Sequence, residues 1–189
     1  MRARYASTMD GWKAWQKGYR FGILLLIPPE PLRSRVNALR AAHDPVSAAA
    51  IDAHVSLTVP LPRAPTEERW AELETLAGGV ASFTVTYGPA RRFPSSSVVF
   101  LDIEPKHVLA ELVATLESAS LFEEAGPRQY PFTPHMTIAE FIPPDRTEPL
   151  LKQLEGTAPM GTFECAEVCL SVPDEAFRFS TQGRLALGA

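Results

Sequence analysis

The chain has 189 residues, a formal net charge of −4, 46% hydrophobic residues and two cysteines. This length fits one compact domain, or two small lobes that share a core. The acidic balance argues against a protein that coats long nucleic acid through a basic face, although a local cluster of charge can still bind one terminal phosphate. The apolar run at residues 24–27 is far too short to span a bilayer, so we expect no membrane partner.

Two stretches of the chain repeat one order of predicted elements: strand, helix, histidine-containing strand, helix, strand. In the first half these elements fall at residues 21–27, 32–39, around His54, 66–78 and 83–87. In the second half they fall at residues 98–103, 108–116, around His135, 145–156 and 163–168. A final strand is predicted at residues 177–187.

The boundaries follow from local signals. Thr66 and Asp145 are candidate N-caps of the second helix in each half, and glycines stand at both C-terminal ends. We therefore expect an N-terminal extension at residues 1–18 and a single bilobal domain at residues 19–187. Its repeat halves span about 19–90 and 96–172, joined by a connection at residues 88–97.

Each histidine strand carries the same short motif, a histidine followed two residues later by a hydroxyl residue. Side chains alternate along a strand, so His54 shares a face with Ser56, and His135 shares a face with Thr137. Two imidazoles and two hydroxyls suit acid–base chemistry on a phosphoester. Two such motifs among four histidines arise by chance in roughly 1–2% of chains, and their equivalent places in the repeat strengthen the prediction.

Three further side chains are candidates for substrate binding. Arg92 and Arg128 lie in predicted loops near strand ends, where they could bind a phosphate, with a solvated loop position as the alternative. Tyr130 precedes the second motif and could stack on a base, with core packing as the alternative.

Cys165 and Cys169 are the cysteines of the chain. Four residues apart on one strand, they would lie roughly 13 Å from each other, which is too far for a disulfide. We therefore expect buried free thiols. Together with the absence of an apolar leader near the N-terminus, they favour a cytoplasmic protein.

Two rival kinds of site are weaker. A metal site could use His54 and His135 with Asp52 or Glu140, but a catalytic zinc usually has three protein ligands and Glu140 is predicted to face away. A serine hydrolase would need Ser56 in a G-x-S-x-G turn, and its surroundings do not have that pattern.

The segments His54-Val55-Ser56-Leu57 and Pro134-His135-Met136-Thr137-Ile138-Ala139 resemble the paired motifs of the two-histidine phosphoesterase superfamily. Within it, the chain is most similar to the bacterial 2′-5′ RNA ligase and RNA 2′,3′-cyclic phosphodiesterase group, over roughly residues 19–187. The resemblance implies an α+β fold of two pseudo-symmetric lobes. Each lobe has an antiparallel sheet with helices on its outer face, and the motif strands line a central cleft.

The resemblance also implies the chemistry. We expect a monomeric, metal- and cofactor-independent phosphodiesterase whose partner is a nucleotide or RNA terminus carrying a cyclic phosphate. His135 is then the base, His54 the acid, and the hydroxyls of Ser56 and Thr137 bind the phosphate. The family's second motif usually continues with a basic residue, whereas here Glu140 follows Ala139, and the first motif continues at residues 58–62 without the usual glycine. These departures argue against RNA ligation. A protein of the same fold that binds RNA ends without turnover is the alternative function.

Overall fold

The computed structural model describes residues 3–188 and has an α+β architecture, as predicted. Its strands are β1 (Ile23–Leu26), β2 (Val55–Ser56), β3 (Phe83–Arg92), β4 (Val99–Glu104), β5 (His135–Ala139), β6 (Gly161–Cys165), β7 (Glu167–Pro173) and β8 (Phe179–Ala186). Its α-helices are α1 (Leu32–His43), α2 (Pro45–Ala50), α3 (Glu67–Gly78), α4 (Lys106–Glu117) and α5 (Pro144–Leu154). Short 3₁₀ helices occur at Gln16–Tyr19 and Ser120–Phe122.

The eight strands form one antiparallel sheet in the order β6-β3-β4-β5-β2-β1-β7-β8. The expectation of two separate sheets is therefore wrong for the described residues. The two motif strands β2 and β5 are neighbours at the centre, with Val55 opposite Met136. This pairing joins what would otherwise be two four-stranded sheets.

One strand of each chain half pairs in the other half of the sheet. Strand β3 leaves β1 and β2 and lies between β4 and β6, whereas β7 lies between β1 and β8. Each half of the sheet thus depends on a strand from the other half of the chain. The motif strands are held between two groups of strands that are interleaved in sequence.

The strand predicted at residues 163–168 is two strands, β6 and β7, separated by Ala166. The carbonyl of Ala166 accepts a hydrogen bond from Leu187, and Ala81 bridges Gly188, so the two ends of the sheet approach each other here. The one-residue link carries the chain between opposite regions of a curled sheet. Cys165 and Cys169 therefore lie on different strands, not one, but both are buried and free as predicted.

Helices and strands pack one apolar face each into a common core. Val55 and Met136 are fully buried in it, while the alternate residues of β2 and β5 face the other way. On α1 the buried residues are Leu32, Val36 and Arg40, at helical spacing. This core fixes which face of each motif strand is turned away from the helices.

Several boundaries differ from the sequence-based expectation. Thr66 caps α3 as predicted, by accepting a hydrogen bond from the Arg69 amide, but α5 is preceded by Pro143, and Asp145 lies inside its first turn. Residues 88–92 belong to β3, so the connection between the halves is shorter than expected. Helix α2 was not predicted; its N-cap is Asp44, whose carboxylate accepts from the Ser47 amide.

The described part of the N-terminal extension packs on the turn between β7 and β8. Trp12 is buried against Phe177, with ring centroids 5.1 Å apart, and its indole N–H donates to the carbonyl of Glu175 at 2.9 Å.

Within residues 3–188, no helix is long and apolar enough to cross a membrane.

Candidate functional site

The two motifs lie side by side on one face of the central sheet. Because Val55 is the antiparallel partner of Met136, the register places His54 beside Thr137 and Ser56 beside His135. The two histidines are diagonal neighbours on this pair, a relation that separates residues by about 7–8 Å and brings their Cβ atoms somewhat closer than that. The motifs thus do not face each other from separate sheets, as the sequence suggested, but form a compact square on adjacent strands.

Both imidazoles are oriented by the same local hydrogen bond. Nδ1 of His54 lies 2.7 Å from the carbonyl oxygen of Asp52, and Nδ1 of His135 lies 2.7 Å from that of Thr133. A carbonyl can only accept, so each Nδ1 carries a proton and donates it. Nε2 is therefore the nitrogen that each neutral ring leaves free for chemistry.

All four motif side chains line one cavity of about 690 Å³. A cavity of this size is within the usual range for small-molecule sites. Its other lining residues include Arg40, Ser47, Glu140 and Phe141, and a group of aromatic residues from the two chain termini. Two half-buried imidazoles and two hydroxyls are thus gathered at a site that could hold a nucleotide-sized ligand.

Burial favours the neutral form of both histidines. Desolvation, with smaller contributions from the charges of Arg40 and His135, lowers the pKa of His54 to about 4. Desolvation also lowers the pKa of His135, opposed by its hydrogen bond to Thr133. The rings of Phe93 and Phe100 meet that of His135 at centroid distances of 5.0 and 5.4 Å and account for part of the desolvation.

Arg40 is a fully buried cation that ties the two motif segments together. Its guanidinium donates to the carbonyl of Thr137 at 2.8 Å, to that of Ile51 at 2.9 Å, and to both the carbonyl and hydroxyl of Ser47. Thr137 is in the second motif, and Ile51 precedes the residue whose carbonyl orients His54. One side chain on α1 therefore fixes the backbone on both sides of the site.

The charges of two nearby carboxylates, Glu140 and Asp44, favour the charged form of Arg40. Asp44 is buried and accepts from the amides of Glu140 and Phe141 at 2.8 and 3.0 Å, which holds the chain after β5. The Ser47 hydroxyl donates to Glu140 at 3.2 Å. Desolvation raises the pKa of Glu140, and the nearby charge of Asp44 adds to that effect. Glu140 lines the cavity, contrary to the expectation that it faces away.

The three residues predicted to bind substrate are not among the described residues that line the cavity. Arg92 pairs with Val99 and lies on the face of β3 opposite to that of Thr137. Its neighbour Arg91 pairs with Phe100, which pairs with Thr137, so Arg91 is the arginine that shares their face. Arg128 instead donates hydrogen bonds to the Glu117 carboxylate and to the carbonyl of Leu57, the residue after Ser56, both at 2.6 Å.

Tyr130 is 73% exposed and, like the two arginines, does not line the cavity. The residues that sequence reasoning missed include Arg40, Glu140 and the terminal aromatic residues. For Arg40 a signal existed, because a charged residue stood at the helical spacing of Leu32 and Val36 on the apolar face of α1. The aromatic residues gave no such signal, since their place depends on how the two termini pack.

The donor set does not suit a metal ion. Within residues 3–188, no three His, Cys, Asp or Glu side chains come together as ligands. The Asp52 carboxylate accepts from the Asn37 amide, and Glu140 accepts from Ser47. The structure thus offers two imidazoles where a catalytic zinc site usually has three protein ligands.

The chain is similar in sequence to known proteins. Residues 28–176 match the model of the 2′-5′ RNA ligase superfamily. A Bacillus cytotoxicus protein provisionally named a phosphoesterase is 29% identical over 120 residues, which cover 62% of this chain and 67% of that protein.

Solved structures show the same fold. Apo LigT of E. coli is 25% identical, with a TM-score of 0.57 over 88% of this chain and 96% of LigT. LigT has also been solved in complex with 3′-AMP. The protein TT0787 of Thermus thermophilus gives a TM-score of 0.59 at 21% identity, over 87% of this chain and 96% of that one. The matched family model spans most of the chain and both histidine motifs, so the chain belongs to the 2′-5′ RNA ligase superfamily.

Proposed function

We propose that the protein is a metal-independent phosphodiesterase that opens 2′,3′-cyclic phosphates by two-histidine acid–base catalysis. The observation that carries this proposal is the square of His54, Thr137, Ser56 and His135 on adjacent strands, with both Nε2 atoms left free by matched Nδ1 hydrogen bonds. A nucleotide substrate agrees with the complex of E. coli LigT with 3′-AMP.

In this reaction a water oxygen attacks phosphorus, and the bond from phosphorus to one ribose oxygen breaks. One neutral imidazole takes the proton of the water, and one imidazolium gives a proton to the departing ribose oxygen. The products are a free hydroxyl and a terminal phosphate monoester. The hydroxyls of Ser56 and Thr137 donate to the non-bridging oxygens, where negative charge grows in the transition state.

The electrostatics favour His54 as the base and His135 as the acid, the reverse of the order that the family resemblance implies. A base must be neutral before the reaction, and burial together with the charges of Arg40 and His135 disfavours protonation of His54. The causes that lower the pKa of His135 do not include Arg40, and we therefore assign His135 as the ring that carries the proton.

The pH dependence follows from these directions. A protonated His54 cannot act as base, so kcat/KM falls as pH drops through about 4. A deprotonated His135 cannot act as acid, and its pKa is lowered, so kcat/KM falls again as pH rises through a value below the ordinary pKa of histidine. A bound phosphate anion raises both pKa values, and the kcat profile is therefore displaced to higher pH than that of kcat/KM.

The test compares wild type, His54→Ala and His135→Ala on adenosine 2′,3′-cyclic phosphate and on a short RNA ending in the same group. Each substitution should lower kcat about 10²–10⁴-fold, since each removes one proton-transfer partner. The matched control is His107→Ala, on the exposed surface of α4, which should keep the wild-type rate. Prior treatment of wild type with EDTA should leave the rate unchanged.

Turnover at the wild-type rate by either folded cavity variant would overturn the mechanism. Tight binding of the cyclic phosphate by wild type without product would instead support a non-catalytic protein that binds RNA ends. Resolving the product as a 2′- or 3′-phosphate identifies the ribose oxygen that leaves.

A further inference from the structure

One wall of the catalytic cavity is aromatic and comes from the two ends of the chain. It is lined by Trp15 and Tyr19 near the N-terminus, by Phe177 in the β7–β8 turn and by Phe179 at the start of β8. We call these four residues the aromatic wall. Their rings meet edge to face, with centroid distances between 5.1 and 6.2 Å.

The aromatic wall is a built structure. Phe177 contacts each of the other three rings and has a φ of +59°, a left-handed conformation that is strained for a residue with a β-carbon. Asp174 stabilises that turn: its carbonyl accepts from the Phe177 amide, and its carboxylate accepts from the amides of Ala176 and Arg178. Strain of this kind persists where the surrounding structure holds it, and it tends to occur at ligand sites.

One ring of the wall remains open to a ligand. Trp15 is 51% exposed although it lies between Tyr19 and Phe177 and lines the cavity. An indole held in place by neighbouring rings and left half uncovered offers a flat apolar surface. Flat π surfaces of this kind bind nucleobases by stacking, with little dependence on the identity of the base.

Two cationic side chains lie at this end of the cavity, which the carboxylate of Glu140 also lines near Tyr19. Lys13 and Arg178 line the cavity beside the aromatic wall, and both are exposed. Within residues 3–188, neither makes an ion pair shorter than 4.0 Å. A planar surface, two available cations and the two-histidine square thus occur in one continuous cavity.

We infer that Trp15 is the platform on which the nucleobase next to the cyclic phosphate stacks, so that the N-terminal segment and the β7–β8 turn select nucleoside substrates. This inference rests on the proposed function and names its substrate class. All four residues of the aromatic wall lie outside residues 28–176, the range that the family model covers.

The experiment compares adenosine 2′,3′-cyclic phosphate with methyl riboside 2′,3′-cyclic phosphate, which has no base. Wild type should prefer the nucleoside substrate in kcat/KM. Trp15→Ala should lower that preference about tenfold, mainly through the KM of the nucleoside substrate, and Trp15→Phe should restore most of it. The matched control is Tyr130→Ala, an exposed aromatic residue away from the cavity, which should keep the wild-type preference.

A second substrate tests whether the nucleobase that stacks on Trp15 belongs to a mononucleotide or to the end of an RNA. A short RNA ending in a 2′,3′-cyclic phosphate is tested beside the mononucleotide, and a Trp15-dependent KM for either one supports the inference. An unchanged preference in folded Trp15→Ala on both substrates overturns it, as does an equal loss in Tyr130→Ala.

A binding measurement separates this inference from the proposed activity. Isothermal titration of wild type and Trp15→Ala with adenosine 3′-monophosphate should give about tenfold weaker binding to the variant. If wild type hydrolyses no cyclic phosphate but binds this nucleotide through Trp15, the proposed function fails and the base platform stands. If turnover is normal and binding does not depend on Trp15, the platform fails and the proposed function stands.

Discussion

The two histidine motifs have the same local structure in different surroundings. In each, Nδ1 donates to the carbonyl two residues earlier, and a hydroxyl residue follows on the same face of the strand. Around them the environments differ: Arg40 contributes to the lowered pKa of His54, whereas the rings of Phe93 and Phe100 pack on His135. The local motif therefore sets the tautomer, and the surroundings set the charge.

This difference teaches how a duplicated site can carry out an unsymmetrical reaction. Opening a cyclic phosphate needs one imidazole without a proton and one with it, and two identical environments would not determine which is which. A buried cation beside one ring and aromatic edges beside the other break that symmetry. In the proposed mechanism, this asymmetry assigns the two roles before the substrate binds.

The two motifs have a hydroxyl residue in common, and removing either hydroxyl should give the largest loss of rate among the variants of this comparison. Ser56→Ala and Thr137→Val should each lower kcat about 10²-fold, because each removes one donor to the non-bridging phosphate oxygens. Similar losses would show that the two motifs bind the phosphate equally. Steady-state kinetics on adenosine 2′,3′-cyclic phosphate measures both.

The control for the hydroxyl variants is Thr133→Val, which keeps the backbone carbonyl that orients His135 and should retain the wild-type rate. Ser56→Thr keeps a hydroxyl at the first motif and should retain most of the activity. A rate near wild type in either Ser56→Ala or Thr137→Val would remove that hydroxyl from the proposed mechanism.

Replacing Arg40 should change the pKa of His54 and not that of His135, with a smaller effect on the rate than the loss of a hydroxyl. Its positive charge helps to lower the pKa of His54, so Arg40→Met raises that pKa and moves the acidic limb of kcat/KM to higher pH. The result is a severalfold lower kcat/KM on the acidic side, with little change near neutrality. Arg40→Lys keeps the charge and should keep the limb near its wild-type position.

Arg40→Met also leaves the carbonyls of Thr137 and Ile51 without their buried donor, which costs about 1–3 kcal/mol of folding free energy for each. Chemical unfolding at neutral pH measures this loss and identifies the conditions in which the variant is folded. An unchanged acidic limb in folded Arg40→Met would show that Arg40 has a purely structural role.

The elements that the sequence predicted well have strong local signals. The α3 helix begins at its Thr66 cap and ends at its glycines, and β1 and β4 are apolar runs of ordinary strand length. The motif pairs share a face because alternation along a strand is a property of the backbone. These features depend on residues that are neighbours in the chain.

The features that the sequence did not predict depend on distant pairing. Strand β2 has only two residues, so nothing in its pattern indicates that it lies beside β5. The break at Ala166 reflects the curl of the sheet. The face on which Arg92 lies depends on the register of β3, because a shift of one residue moves each side chain to the other face. The aromatic wall depends on two termini meeting at one turn. Each is set by tertiary structure.

The central claim is that His54 and His135 have different roles, base and acid. Its most direct test is a cyclic phosphate in which sulfur replaces the ribose oxygen that leaves, because a thiolate departs without needing a proton. His135→Ala, which lacks the acid, should recover at least about tenfold of its lost rate on this substrate, whereas His54→Ala should recover none. Recovery by His54→Ala alone would reverse the assignment, and equal behaviour of the two variants would contradict the division of roles between the histidines.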